Sequence, residues 1–212
     1  MTLLNRTLAA FVLALAAALA HAQSGPELGR DYVRLDPPHA VARGDKIEVI
    51  EFFYYGCPVC YELEPKLTRW YFGVLDSVAL RRVPALASHN WDNFAKLFYT
   101  LDAMGQLDRL HWTVYGDFQF EGLKLNEEPE MAAWAAHNGV DPQKFADIYH
   151  SPEIPAKLAE ARKMTKDYGI KGVPSIVVDG KYLTSARLAG STDRLMLIVG
   201  QLVELARKER GK

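Results

Sequence analysis

The chain has 212 residues, 49% of them hydrophobic, and 25 Lys and Arg against 26 Asp and Glu give it a formal net charge of −1. That balance excludes the strong basic field of a nucleic-acid binder and gives no reason to expect an acidic partner. Only two cysteines are present, Cys57 and Cys60, so any thiol chemistry rests on this one pair.

Residues 1–22 carry Arg6, then the apolar stretch Leu8 to Ala20, then Ala20-His21-Ala22, a small-x-small site with cleavage expected before Gln23. The stretch is short of the roughly 20 apolar residues that span a bilayer, and no second apolar span follows, so it reads as a secretory signal peptide. No cysteine stands near the cleavage site to take a lipid anchor. The expectation is a soluble, exported chain of 190 residues with 24 basic and 26 acidic side chains.

Gln23 to Arg43 is polar and broken by Pro26, Pro37 and Pro38, with Tyr32, Val33 and Leu35 offering a short strand. Ile47 to Tyr54 reads as a strand apolar on both faces, as in the buried middle of a sheet. A helix is expected from the cysteines onward. Pro58 lies just inside its start, where a missing N–H costs nothing. Leu63, Leu67, Trp70, Tyr71 and Val74 recur at helical spacing, and Pro65 is a kink point. Val78 to Pro84 supplies the second strand of a β-α-β unit.

The pattern then turns helical, over Trp91 to Met104, Gln106 to Phe118, Glu128 to His137, Pro142 to His150 and Ile154 to Tyr168, with Gly, Asp or Pro breaks between. Strand signals return as Pro174 to Val178, the Asp179-Gly180 turn and Lys181 to Leu183. A last helix starts near Ser191 or Thr192 and should bury Leu195, Ile198, Leu202 and Leu205, with a cationic end from Arg207 to Lys212.

Cys57-Pro58-Val59-Cys60 is the spacing of a dithiol that cycles through a disulfide. A bridge spanning three residues closes too small a loop to restrain the unfolded chain, so a catalytic role fits better than a structural one. At a helix start, the Cys57 sulfur lies beside unpaired backbone N–H groups at the positive end of the dipole, which favours the thiolate. Cys57 is therefore the expected nucleophile. Cys60, one turn inward, should be buried, with a higher pKa, and suited to resolve a mixed disulfide.

Glu48 and Glu51 alternate to opposite faces of the first strand, so one of them should be buried. Glu51 is the candidate: a buried carboxylate has a raised pKa and can carry protons to or from the resolving thiol. Lys66 or Arg69 could pair with it, or the side chain could reach solvent at the strand end. Glu62 and Glu64 stand in the first turns of the helix, against a negative sulfur.

The remaining motifs are bland. His39, His89, His111, His137 and His150 show no metal spacing and read as surface or packing residues. Tyr61 stands where haem attachment would need His, and no phosphate-binding loop or serine elbow occurs, so neither metal nor cofactor is expected. Trp70, Trp91, Trp112 and Trp134 read as core. Val173-Pro174, taken alone, reads as an ordinary trans proline turn.

Together, Glu51-Phe52-Phe53, Cys57-Pro58-Val59-Cys60-Tyr61, a helical insertion of this size and Gly172-Val173-Pro174-Ser175 resemble the thiol:disulfide interchange proteins of the DsbA family, over nearly the whole mature chain. The resemblance implies an α/β thioredoxin fold, residues 23–86 and 168–212, split by an all-helical domain, residues 87–167. It implies a cis Pro174 facing the cysteines, with Val173 offering strand-like hydrogen bonds to an extended substrate. It also makes Glu51 the family's buried acid and Glu64 a second, electrostatic one.

The implied activity is a periplasmic oxidase that passes its disulfide to newly exported, cysteine-containing proteins and is reoxidised by a quinone-linked membrane partner of the DsbB kind. The family usually has His where this chain has Val59, which can neither donate a hydrogen bond nor carry charge, so a weaker oxidant is expected. A reductase or isomerase, and a non-catalytic peptide-binding module with a structural pair, are the alternatives.

Overall fold

The computed structural model describes residues 25–41 and 44–211. The leader expected over residues 1–22 lies outside them. Among the described residues no helix is long and apolar enough to cross a membrane.

A five-stranded mixed sheet forms the centre, in the order β1-β5-β4-β2-β3. Its middle strand, β2 (Ile47–Phe53), is buried along all seven residues, which is why its sequence is apolar on both sides. β2 runs parallel to β3 (Val78–Pro84), reached through α1 (Pro58–Phe72), and antiparallel to β4 (Ser175–Val178). β4 turns into β5 (Tyr182–Ser185) through Asp179, Gly180 and Lys181; Asp179 and Gly180 are left-handed, at φ 56° and 64°, and the Lys181 N–H closes the turn on the Val178 carbonyl at 3.0 Å. β1 shrinks to Val33–Arg34 and pairs with β5 at the edge.

Between β3 and β4 lie a 3₁₀ turn (His89–Trp91) and five helices: α2 (Asp92–Ala103), α3 (Leu107–Gln119), α4 (Glu128–His137), α5 (Pro142–Tyr149) and α6 (Glu153–Asp167). A short α7 (Ala186–Ala189), absent from the sequence expectation, precedes α8 (Thr192–Glu209). Ser185 caps α7 by accepting from the Leu188 N–H at 3.3 Å, and Ser191 caps α8 through the Arg194 N–H at 3.2 Å. α1 runs through Pro65 without a break.

Two cores flank the sheet. Ile47, Val49, Ile176 and Val178 pack with Leu63 and Leu67 of α1 and with Leu195, Ile198 and Leu202 of α8. Ile50, Phe52 and Val177 face the inserted helices through Phe94, Leu97, Leu110 and Tyr115. Burying Phe52 completely stabilises by roughly 1.5–3 kcal/mol. Because both faces are covered, Glu48 and Glu51 are both buried, not one of them, at 3% and 0% exposure. Leu205, expected inside, is half-buried.

Candidate active site

β2 ends at Phe53 and three residues carry the chain to Cys57. Gly56 has no substitute there, because a Cβ would meet the ring of Tyr54, which stacks on Trp91 at 4.1 Å. Cys57 is the N-cap of α1: its sulfur accepts from the Cys60 N–H at 3.4 Å, and Pro58 takes the first helical position, where no donor is lost. The hydrogen bond with the Cys60 side chain, reinforced by the Cys60 and Val59 N–H groups, holds the Cys57 thiol down to about 6 against the opposing effect of burial. Cys60 is fully buried, and burial, with Cys57 beside it, drives its pKa well up.

The other wall is the segment before β4. The Val173–Pro174 peptide is cis, where an ordinary trans turn is the default for the residues alone, and Cys57 Sγ lies 3.6 Å from the Val173 carbonyl oxygen, to which it can donate only while protonated. Among the described residues no backbone group pairs with the Val173 N–H. Val59, on the helix side, is 39% exposed.

Beneath the sulfurs lies a buried charge cluster. Glu51 stands opposite Arg82 in the parallel β2–β3 register, with Arg82 Nε 3.5 Å from Glu51 Oε2. Neither partner expected for Glu51 pairs with it: Lys66 binds Glu62 at 3.1 Å and Asp193 at 2.7 Å, and Arg69 is exposed on the last turn of α1. Arg82 is committed to Glu64, which accepts its Nε at 3.2 Å and its Nη2 at 2.5 Å, and Thr68 donates to Glu64 at 2.7 Å.

These unequal partners separate the two acids. Burial, and then the Glu64 charge, outweigh Arg82 and raise Glu51 to about 8. Burial acts to raise Glu64 too, but His111 and Arg82 hold it down to about 2. At neutral pH the cluster therefore holds one ion pair, Glu64 with Arg82, and a protonated Glu51. His111 places Nε2 3.4 Å from Glu64 and Nδ1 2.7 Å from the Tyr55 hydroxyl, and burial pushes its pKa down, leaving a neutral ring.

The DSBA-like thioredoxin domain model matches residues 73–198, beyond the two cysteines, so the match does not depend on them. The thiol:disulfide interchange protein DsbA of Azotobacter vinelandii is 37% identical over 181 residues, 85% of each chain. The chain belongs to the DsbA family. The crystal structure of Pseudomonas aeruginosa DsbA superposes with a TM-score of 0.83 at 36% identity, covering 87% of this chain and 96% of that one. The oxidoreductase DsbA from Xylella fastidiosa does so at 0.81 and 30%, covering 87% and 100%. As a DsbA-family member the chain is a thiol:disulfide oxidoreductase with an α/β thioredoxin fold and a helical insertion.

Of the residues singled out in the sequence, Cys57, Cys60, Pro58, Val59, Val173 and Pro174 lie together, and Glu51 and Glu64 are buried beside them. Arg82, His111 and Gln119 are additions that the sequence did not single out. Gln119, at the end of α3, donates to the carbonyls of Tyr55 at 2.6 Å and Cys57 at 3.3 Å, tying the insertion to the cysteine loop. Trp134 is core, but Trp112 is 41% exposed and meets Tyr61, which also meets the exposed Phe120. Among the described residues no cluster of His, Cys, Asp and Glu could hold a metal ion.

Proposed function

We propose that this protein oxidises newly exported polypeptides in the periplasm, donating the Cys57–Cys60 disulfide through a mixed disulfide at Cys57. The observation that carries the reading is the asymmetry of the pair: a half-exposed sulfur held as thiolate at a helix start, beside a buried one that resists ionisation.

A substrate thiolate attacks Cys57 Sγ; the substrate–Cys57 bond forms, the Cys57–Cys60 bond breaks, and Cys60 leaves as a thiolate. Glu51, protonated, gives its proton to Cys60 and becomes a carboxylate facing Arg82. A second substrate thiolate then attacks the substrate sulfur, releasing an oxidised substrate and the Cys57 thiolate. Cys57 is a good leaving group because its anion is already stabilised. The unpaired Val173 N–H, beside its carbonyl, suits an extended substrate segment that pairs as a strand. Pro58 presets the helix start, and Glu64 keeps Arg82 from neutralising Glu51.

Within this reading residues 23–86 and 168–212 form the thioredoxin unit and residues 87–167 its helical insertion. The leader directs export, and a quinone-linked membrane oxidase like DsbB restores the disulfide. Equilibration of the mature protein in graded glutathione buffers, with thiol trapping of Cys57 and Cys60, tests the direction of transfer. A potential towards the oxidising end of the dithiol range is expected. A potential near that of thioredoxin would assign a reductase instead, for which Val59 is the favouring observation.

A further inference from the structure

Between the end of β2 and Cys57 the chain runs through Tyr54, Tyr55 and Gly56. The glycine gives this loop conformational freedom, and among the described residues no backbone N–H pairs with the Tyr55 carbonyl. A side chain from the insertion supplies the missing restraint. Gln119 is half-buried, and its amide nitrogen donates to the carbonyls on both sides of Gly56, Tyr55 at 2.6 Å and Cys57 at 3.3 Å. Both acceptors are carbonyl oxygens, so only the amide NH2 can face them, with each of its hydrogens in use. The Cys57 carbonyl also accepts the Tyr61 N–H at 3.1 Å, the bond that opens α1.

Gln119 is itself braced. Two residues before it, Asp117 accepts from the Trp134 indole of α4 at 2.6 Å, and the Phe120 N–H closes α3 on the Gly116 carbonyl at 2.9 Å. A side chain held from behind and bonded twice in front acts as a strut. What it protects is a long bond: the Cys60 N–H reaches Cys57 Sγ at 3.4 Å, so a small drift of the loop weakens it.

We infer that Gln119 is a positioning residue for disulfide exchange: by fixing the carbonyls on either side of Gly56, it lets the helical insertion set the aim of the Cys57 sulfur at the N–H groups that open α1. The inference deepens the proposed function and rests on Cys57 as the attacked sulfur. Losing the strut should raise the pH at which Cys57 ionises. Because the thiolate stabilises the reduced form, the pair should also become a weaker oxidant.

Gln119→Met keeps the length and loses both donors. Iodoacetamide alkylation against pH should place its Cys57 midpoint about one unit above that of the unaltered protein, and the glutathione equilibrium at pH 7 should shift about fivefold towards the disulfide. Gln119→Glu, a second variant should the first not fold, puts a carboxylate beside the two carbonyls, and its midpoint should rise further. Phe145→Leu, a cavity in the buried face of α5, controls for lost stability and should leave the midpoint where it is.

An unmoved midpoint in the Gln119 variants overturns the inference and leaves the tie a purely structural one. A midpoint that rises equally in Phe145→Leu also overturns it, since lost stability would then be the cause. A midpoint near that of a free thiol in the unaltered protein overturns the inference together with the reading of Cys57 as the stabilised sulfur.

Discussion

Glu51 and Arg82 stand opposite each other on neighbouring parallel strands, 3.5 Å apart, yet neither oxygen of the buried carboxylate accepts a hydrogen bond. Arg82 spends its donors on Glu64 and Thr68 instead. Such a placement favours the protonated acid, which suits the proposed transfer of that proton to Cys60.

The same placement sets a pH dependence of stability. The folded value of Glu51, about 8, lies above that of an unfolded glutamate, so the unfolded chain binds fewer protons between about 4.5 and 8 and stability falls as pH rises through that window. In Glu51→Gln this slope should flatten, with a gain of about 1–3 kcal/mol at pH 8. Urea unfolding of the reduced protein and the variant at pH 5.5 and pH 8 measures it, and parallel pH trends would remove Glu51 as the titrating group.

Cys57 works in the opposite sense. Its folded value, about 6, lies below that of a free thiol, so the reduced protein gains stability as pH rises above 6 and loses it as pH falls through 6. The rate of Cys57 alkylation by iodoacetamide should follow a titration with its midpoint near 6, while Cys60 stays unmodified in the folded protein. A midpoint above 8 would show that the helix start does not hold the thiolate.

Arg82→Met should be among the most damaging single changes, because it leaves the ionised, buried Glu64 without its cation. The expected loss is about 3–5 kcal/mol in urea unfolding. Arg82→Lys should cost less, since one charged donor is retained.

Val59 lies partly exposed next to the reactive sulfur and offers it only its backbone N–H. Val59→His should lower the Cys57 midpoint by about one unit and shift the pair towards a stronger oxidant, measured by thiolate absorbance and glutathione equilibration. An unchanged midpoint would mean that the dipeptide between the cysteines does not set the thiolate here.

What the sequence made legible is local. The N-cap role of Cys57 follows from a proline-led helix after an apolar strand, and the turn at Asp179-Gly180 from residue type alone. Arg82 and His111 were hidden because their roles arise from register and packing. Arg82 meets Glu51 only once β2 and β3 are aligned, and His111 is one histidine among several until α3 is laid against Glu64. Reading Glu48 and Glu51 as rivals for one buried site failed for a related reason: period-two alternation says which face a residue takes, not whether that face is covered.

The strand that leads into Cys57 sits between β3 and β4, and β4 begins only at Ser175. Synthesis from the N-terminus therefore delivers the cysteine pair more than a hundred residues before the strand that pairs along this edge of β2. During that interval one edge of β2 is bare, although most of the cluster that buries Cys60, from Ile50 to Tyr168, is already made. Assembly of the sheet is governed by contacts far apart in the chain, so its middle strand gains its second neighbour only when the last forty or so residues arrive.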